Sequence, residues 1–211
     1  MHAQLVVAHR GAAADAPENT LAAFELAWHQ GADAIEGDFQ LTKDGQIIAL
    51  HDKNLNRVAG VKRNASEMTL AELKKLDVGS WKGKQFEGER IPTLMQVLKS
   101  VPAGKKIFVE IKDTTRIVPA LKLLLEKAYA ITSLKPEQVV VICFDANVIA
   151  QVRKKIPNVT TCWLTSYSYN KKTSKWSPSL DAILAKLKSI DTHGLDIRAS
   201  GGIDPAFVER C

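Results

Sequence analysis

Short apolar runs alternate with helix-like stretches along most of this chain. LVVAHR (5–10) climbs through apolar residues to a histidine and an arginine, and NTLAAFELAWHQG (19–31) follows with helical spacing. Asn19 is placed to cap that helix and Gly31 to end it. AIEGDFQLT (34–42) and QIIALHD (46–52) read as strands. A mostly polar stretch then carries the helix TLAELKKL (69–76) and the loop VGSWKGKQFEGERIP (78–92). KIFVEIK (106–112), VVVICF (139–144) and TTCWLT (160–165) predict three more strands. Between them lie the helices TRIVPALKLLLEKAYA (115–130), with Pro119 in its first turns, and ANVIAQVRKKI (146–156). An aromatic, lysine-rich loop, a helix over 178–189, the short GLDIRAS (194–200) and a helix start at DPAFVER (204–210) complete the pattern. Such alternation predicts an α/β fold, either a parallel sheet or a TIM-type (β/α) barrel.

One connection breaks the alternation. QLT-KDG-QII places Asp44-Gly45 between two strand-like runs, a strong hairpin signal, with no room for the crossover that parallel strands need. A two-residue loop at Asp44-Gly45 pairs Phe39 with Leu50 and Leu41 with Ile48, and sets Asp38 opposite His51. Glu36, two residues before Asp38, joins the same face. A slip of one residue would put His51 opposite Gly37, away from both carboxylates. An ordinary surface hairpin with its polar residues outward fits the local pattern equally well.

In a barrel, chemistry gathers at the C-terminal ends of the strands. There the chain places His9 and Arg10, Glu36 and Asp38, His51 and Asp52, and Glu110 and Lys112. Three carboxylates converging in a barrel mouth repel one another unless a cation sits between them, and oxygen-only ligands suit Mg²⁺ or Ca²⁺ rather than zinc. Arg10 and Lys112 remain to hold an anion, for which phosphate is the natural choice. As imidazoles, His9 and His51 are suited to acid and base work at neutral pH. Together these groups describe phosphodiester cleavage.

Composition narrows the setting. The 211 residues, 45% hydrophobic and 25% charged, fit one soluble α/β domain with a sizeable core. No apolar run approaches the roughly 20 residues of a membrane span, so no stable membrane insertion is expected. LVVAH begins too close to Met1 to leave room for a leader, which favours the cytoplasm. The net charge of +6 is spread along the chain, with one cluster at NKKTSK (170–175) and no nucleic-acid motif. Cys143, Cys162 and Cys211 lack metal or redox spacing, and the first two read as buried free thiols.

AHRG, PENT, the E-x-D of IEGD, TKDG, the HD of LHD and VEIK occur in order, and together they resemble the glycerophosphodiester phosphodiesterases. The resemblance is specific from about residue 6 to 112 and looser through FD at 144–145; GERIPTL (88–94) also fits the family. It implies a metal-dependent TIM-barrel enzyme that hydrolyses glycerophosphodiesters to glycerol 3-phosphate and an alcohol. His9 and His51 would be the acid–base pair, Glu36, Asp38 and Glu110 the ligands of one divalent cation, and Arg10 and Lys112 the phosphate-binding residues. Glu18 and Asn19 would support the site or merely cap the helix. Trp81, Phe86, Tyr167, Tyr169 and Trp176 either form an apolar lip over the mouth or pack on the rim, whereas Trp163 reads as core. The expected organisation is a single barrel domain over 1–211, with an excursion over 53–92 capping the mouth. Two closing strands of the family are not recognisable before Cys211, so a truncated barrel is expected. Lysophospholipase D-type activity and an inactive binding barrel are the alternative readings; the oligomeric state is left open.

Overall fold

The computed structural model describes residues 4–197, 203 and 205–210. Strand β1 (Val7–Ala8) ends just before His9, and a loop of tight turns leads to helix α1 (Leu21–His29). The cap of α1 is Thr20, whose Oγ1 accepts from the Ala23 N–H at 3.2 Å. Asn19 is not the cap: it sits one residue earlier at φ +58° with its amide turned toward Asp38. Gly31, at φ +86°, follows the end of the helix as expected.

Strands β2 (Ala34–Leu41) and β3 (Ile47–Ala49) form the expected antiparallel hairpin, but its register is one residue away from the expected one. Phe39 pairs with Ala49 and Leu41 with Ile47, so Asp38 lies opposite Leu50 rather than His51. The turn decides this. Thr42 N–H donates to Gln46 O and Gly45 N–H to Thr42 O, which makes a three-residue loop with Gly45 at φ +76°. The apolar pairing could not discriminate, because both faces of the hairpin are apolar. Phe39, Leu41, Ile47 and Ala49 join the main core, while Ile48 and Leu50 join a second cluster with Leu55, Val58, Leu73 and Ile91.

That second cluster belongs to an excursion built from β4 (Asn54–Leu55), α2 (Asn56–Ala59), β5 (Val61–Asn64) and α3 (Leu70–Leu73). Capping boxes, Thr69 with Glu72 and Thr93 with Gln96, start α3 and α4 (Leu94–Ser100). The alternation then resumes with β6 (Lys106–Ile111), α5 (Val118–Ile131), β7 (Val139–Cys143), α6 (Ala146–Lys155) and β8 (Thr160–Thr165). The loop expected after β8 holds a small hairpin, β9 (Ser168–Asn170) with β10 (Lys175–Ser177). Helix α7 (Leu180–Ser189), β11 (Gly194–Ile197) and α8 (Pro205–Arg210) follow.

The main sheet runs β1-β2-β6-β7-β8-β11, all parallel, with β3 antiparallel on β2 beyond the end of β1. It is the curled sheet of a TIM-type barrel, without closure among the described residues. Ile107, Val109, Ile111, Val139, Val141 and Cys143 face the helices and form the main core with residues such as Phe24, Leu121 and Val148. Cys143 is buried as expected, but Cys162 is only partly so, because it faces the open inner side of the sheet; both are free thiols, and Cys211 lies outside the described residues. Trp163 is partly buried against the main core and donates to Phe144 O at 3.0 Å. No described helix is long and apolar enough to cross a membrane.

Candidate active site

Parallel register aligns Asp38, Glu110, Ile142, Cys162 and Gly194 across β2, β6, β7, β8 and β11. Registered neighbours point to one face of a sheet, and so do residues two apart on a strand. Glu36, Asp38 and Glu110 therefore converge on the inner face, all three buried, with ligand atoms within 4.8 Å of one another. Lys112 emerges one step nearer the C-terminal ends, its Nζ 3.2 Å from Asp38 Oδ1 and hydrogen-bonded to Glu110 Oε1.

Arg10 reaches the cluster from the end of β1. Its backbone stands at φ +55°, a conformation uncommon outside glycine. That turn lets its N–H donate to Glu36 Oε2 at 2.9 Å and brings its Nε within 3.2 Å of Asp38 Oδ2. Gly11 follows at φ +76°, where a Cβ would lie 2.6 Å from the Ala23 carbonyl carbon, so α1 packs directly on this turn. Asn19 secures Asp38 from the other side: its Nδ2 donates to Asp38 Oδ2 at 2.8 Å and its Oδ1 accepts from the Asp38 N–H at 3.0 Å.

The two histidines complete the mouth. His9 Nε2 is 3.9 Å from Glu36 Oε2. His51 leaves the hairpin ladder where β3 stops at Ala49, and the bend brings it into the site despite the shifted register. Its Nδ1 lies 2.7 Å from Asp52 Oδ1. His9, Arg10, Glu36, His51, Glu110 and Lys112 all line one cavity of about 790 Å³, and Asp38 lies fully buried within the same cluster. Every site residue read from the sequence is thus brought to one place.

Electrostatics in the cluster call for a positive partner. Burial, with Asp38 and Glu110 close by, pushes the Glu36 carboxyl up to about 8. Burial also raises Glu110, against the pull of its Lys112 hydrogen bond. His9 is held below the ordinary imidazole value by burial and by the Arg10 charge. Glu36 Oε1 is buried and has no hydrogen-bond partner among the described residues. An unpartnered carboxylate oxygen within an all-oxygen set fits a hard divalent cation.

Sequence reasoning missed Arg57. Its Nε donates to Asp52 Oδ2 at 2.8 Å, while Nη1 and Nη2 donate to the two Glu18 oxygens at 2.9 and 2.8 Å. Nothing in the local pattern separates it from a surface arginine. Asp196, on β11, also lines the cavity. Of the five loop aromatics only Tyr167 does so; Trp176 stacks on it, and Trp81 lies beside Arg57.

Fold and site define a protein of the TIM-type (β/α)-barrel class with an acidic cluster at the C-terminal ends of its strands. A model of the glycerophosphoryl diester phosphodiesterase family matches residues 9–208. The chain is 40% identical over 158 residues to the glycerophosphodiester phosphodiesterase of Caldanaerobacter subterraneus subsp. tengcongensis, covering 74% of this chain and 64% of that one. It is 34% identical over 203 residues to the Bacillus subtilis glycerophosphodiester phosphodiesterase, covering 88% and 65%. An Oleispira antarctica phosphodiesterase solved with its product sn-glycerol-3-phosphate superposes with a TM-score of 0.76 at 27% identity, covering 92% and 74%. This chain belongs to the glycerophosphoryl diester phosphodiesterase family. It spans about two thirds of the length of these curated relatives.

Proposed function

We propose that this protein hydrolyses glycerophosphodiesters to glycerol 3-phosphate and an alcohol. The observation that carries the reading is the buried Glu36–Asp38–Glu110 cluster, its ligand atoms within 4.8 Å of one another, in a cavity that both histidines line. These three carboxylates would hold one divalent cation, Mg²⁺ or Ca²⁺, which when bound neutralises charge and polarises a phosphoryl oxygen. The remaining work falls to the chain's own groups. Arg10 and Lys112 offer fixed positive charge to the phosphate from two sides of the cluster. One histidine takes a proton from the hydroxyl that attacks phosphorus, and as the P–O bond to the alcohol breaks the other gives a proton to that alcohol. Where the attacker is the glycerol 2-hydroxyl, water then opens the cyclic phosphate to glycerol 3-phosphate. Asp52 accepts from His51 Nδ1, which fixes the tautomer and leaves Nε2 for proton transfer. The excursion over 53–92 would cap the mouth, as part of one catalytic unit.

The test is release of glycerol 3-phosphate from glycerophosphocholine and glycerophosphoethanolamine, before and after EDTA treatment and on return of Mg²⁺ or Ca²⁺. The proposal expects turnover that EDTA abolishes and one of these ions restores. Turnover unaffected by chelation contradicts the metal reading, and no release from either substrate contradicts the activity. His9→Ala and His51→Ala should each lower kcat by roughly 10²-fold or more with an unchanged Tm. Near-normal kcat in either variant removes that residue from proton transfer.

A further inference from the structure

The wall of the cavity across from the acidic cluster carries a carboxylate that hydrolysis itself does not require. Asp196 on β11 is in register with Leu164 on β8, one step nearer the C-terminal ends than the registered pair Gly194 and Cys162. It therefore projects to the inner face and lines the same cavity as His9 and His51. Strands β7 and β8 separate β11 from β6, which sets Asp196 across the curled sheet from Glu110. The residue is half-buried, and among the described residues no side chain hydrogen-bonds or ion-pairs with its carboxylate. Burial raises its carboxyl above the ordinary aspartate value, as follows from partial desolvation.

The same wall is aromatic and apolar. Leu164 and Tyr167 line it, and the Tyr167 ring stacks on Trp176 with centroids 4.8 Å apart, so the small β9–β10 hairpin holds Tyr167 in place. A half-buried carboxylate with no cationic partner among the described residues complements an organic cation through Coulomb attraction, and the Tyr167 ring, stacked on Trp176 and 5.2 Å from Phe207, adds apolar contact on the same cavity lining. A neutral group gains no such attraction, and an anionic one is repelled. The cavity that Arg10 and Lys112 line on the β1–β6 side continues to Leu164, Tyr167 and Asp196, so one ester arm of a phosphate bound by the two cations would lie along β8 and β11.

We propose that Asp196, with Tyr167 on the same wall, forms a subsite for an ammonium-bearing alcohol headgroup, so that this protein prefers phosphodiesters whose leaving alcohol is cationic. The inference rests on the phosphodiester reading and deepens it. Asp196 is a specificity residue: it touches the arm that leaves and takes no part in proton transfer.

Calorimetric binding of two non-hydrolysable phosphonates to the metal-loaded protein tests this without relying on turnover. One is the analogue of glycerophosphocholine and the other that of glycerophosphoglycerol. The wild-type protein should bind the choline analogue about tenfold tighter, a difference of about 1.4 kcal/mol. Asp196→Asn, which keeps the side-chain shape, should abolish that preference while changing affinity for the glycerol analogue by less than about twofold. Tyr167→Leu should weaken the choline analogue in the same direction. Equal losses for both analogues, or an unchanged preference in Asp196→Asn, would overturn the proposal. Wild-type binding of both analogues without preference also overturns it and leaves the phosphodiester reading intact. If neither analogue binds the wild-type protein, the phosphodiester reading fails and this inference falls with it.

Discussion

Glu18 accepts from Arg10 at 2.9 Å and from Arg57 through both of its oxygens, while Asp52 bridges Arg57 to His51. One guanidinium on α2 thereby ties Arg10 to His51, on a different strand end. Arg57 is not among the residues that line the cavity, so its expected role is to position Arg10 and His51. Its side chain is 41% exposed, and exposed pairs contribute about 0–1 kcal/mol to stability. Arg57→Ala should therefore lower kcat by about tenfold with little change in Tm, and free guanidinium should restore part of the rate. Arg57→Lys should not, because an ammonium cannot serve Glu18 bidentately and Asp52 together. Unchanged kcat in Arg57→Ala would contradict the role. Legibility divides along the same line. His9 and Glu110 could be read because each stands at or near the end of an apolar strand, and Glu36 and Asp38 because they interrupt one, so that in each case a polar residue is conspicuous. Arg57 could not, since its partners lie 39 and 5 positions away and only the folded excursion brings them together. Asn19 was visible as a polar residue before a helix, but its left-handed backbone and its grip on Asp38 were not.

Among the elements, the β2–β3 hairpin shows where pattern stops short. Its existence follows from TKDG, but its register follows from which residue takes the left-handed position, and Gly45 takes it at the end of a three-residue loop. With apolar residues on both faces, burial did not forbid the alternative. His51 reaches the site because β3 ends early, a feature that alternation cannot reveal. The excursion holds its shape partly through Asp77. That carboxylate accepts from the N–H groups of Gly79, Ser80 and Gly88 at 2.8, 2.9 and 2.8 Å, and these bonds hold it well below the ordinary aspartate value of 3.8. A depressed carboxyl stabilises the fold above its unfolded value and loses that contribution as pH falls through the folded one. Asp77→Asn should thus lower Tm at pH 7, and the gap to wild type should narrow below about pH 3.8. A gap that stays constant from pH 7 to pH 2 would show that the carboxylate charge is not what holds the loop.

For the whole molecule, alternation of strand and helix was enough to read a parallel α/β fold, and the ordered motifs were enough to place it in its family. The strand ends deliver Arg10, Glu36, Asp38, Glu110 and Lys112 to one point because parallel strands all open on the same side. The cross-sheet wall, with Asp196 and Tyr167, was less legible: it is assembled from β11 and the loop after β8, segments whose polar residues carry no recognisable motif. The account's central claim is that the three buried carboxylates form a single site for a hard cation. Calorimetric titration of Ca²⁺ and of Mg²⁺ into chelator-stripped protein tests it most directly. The account predicts one ion bound per chain in the wild-type protein and no measurable binding in a folded Asp38→Asn variant. No binding of either ion, or binding that survives intact in Asp38→Asn, would contradict it.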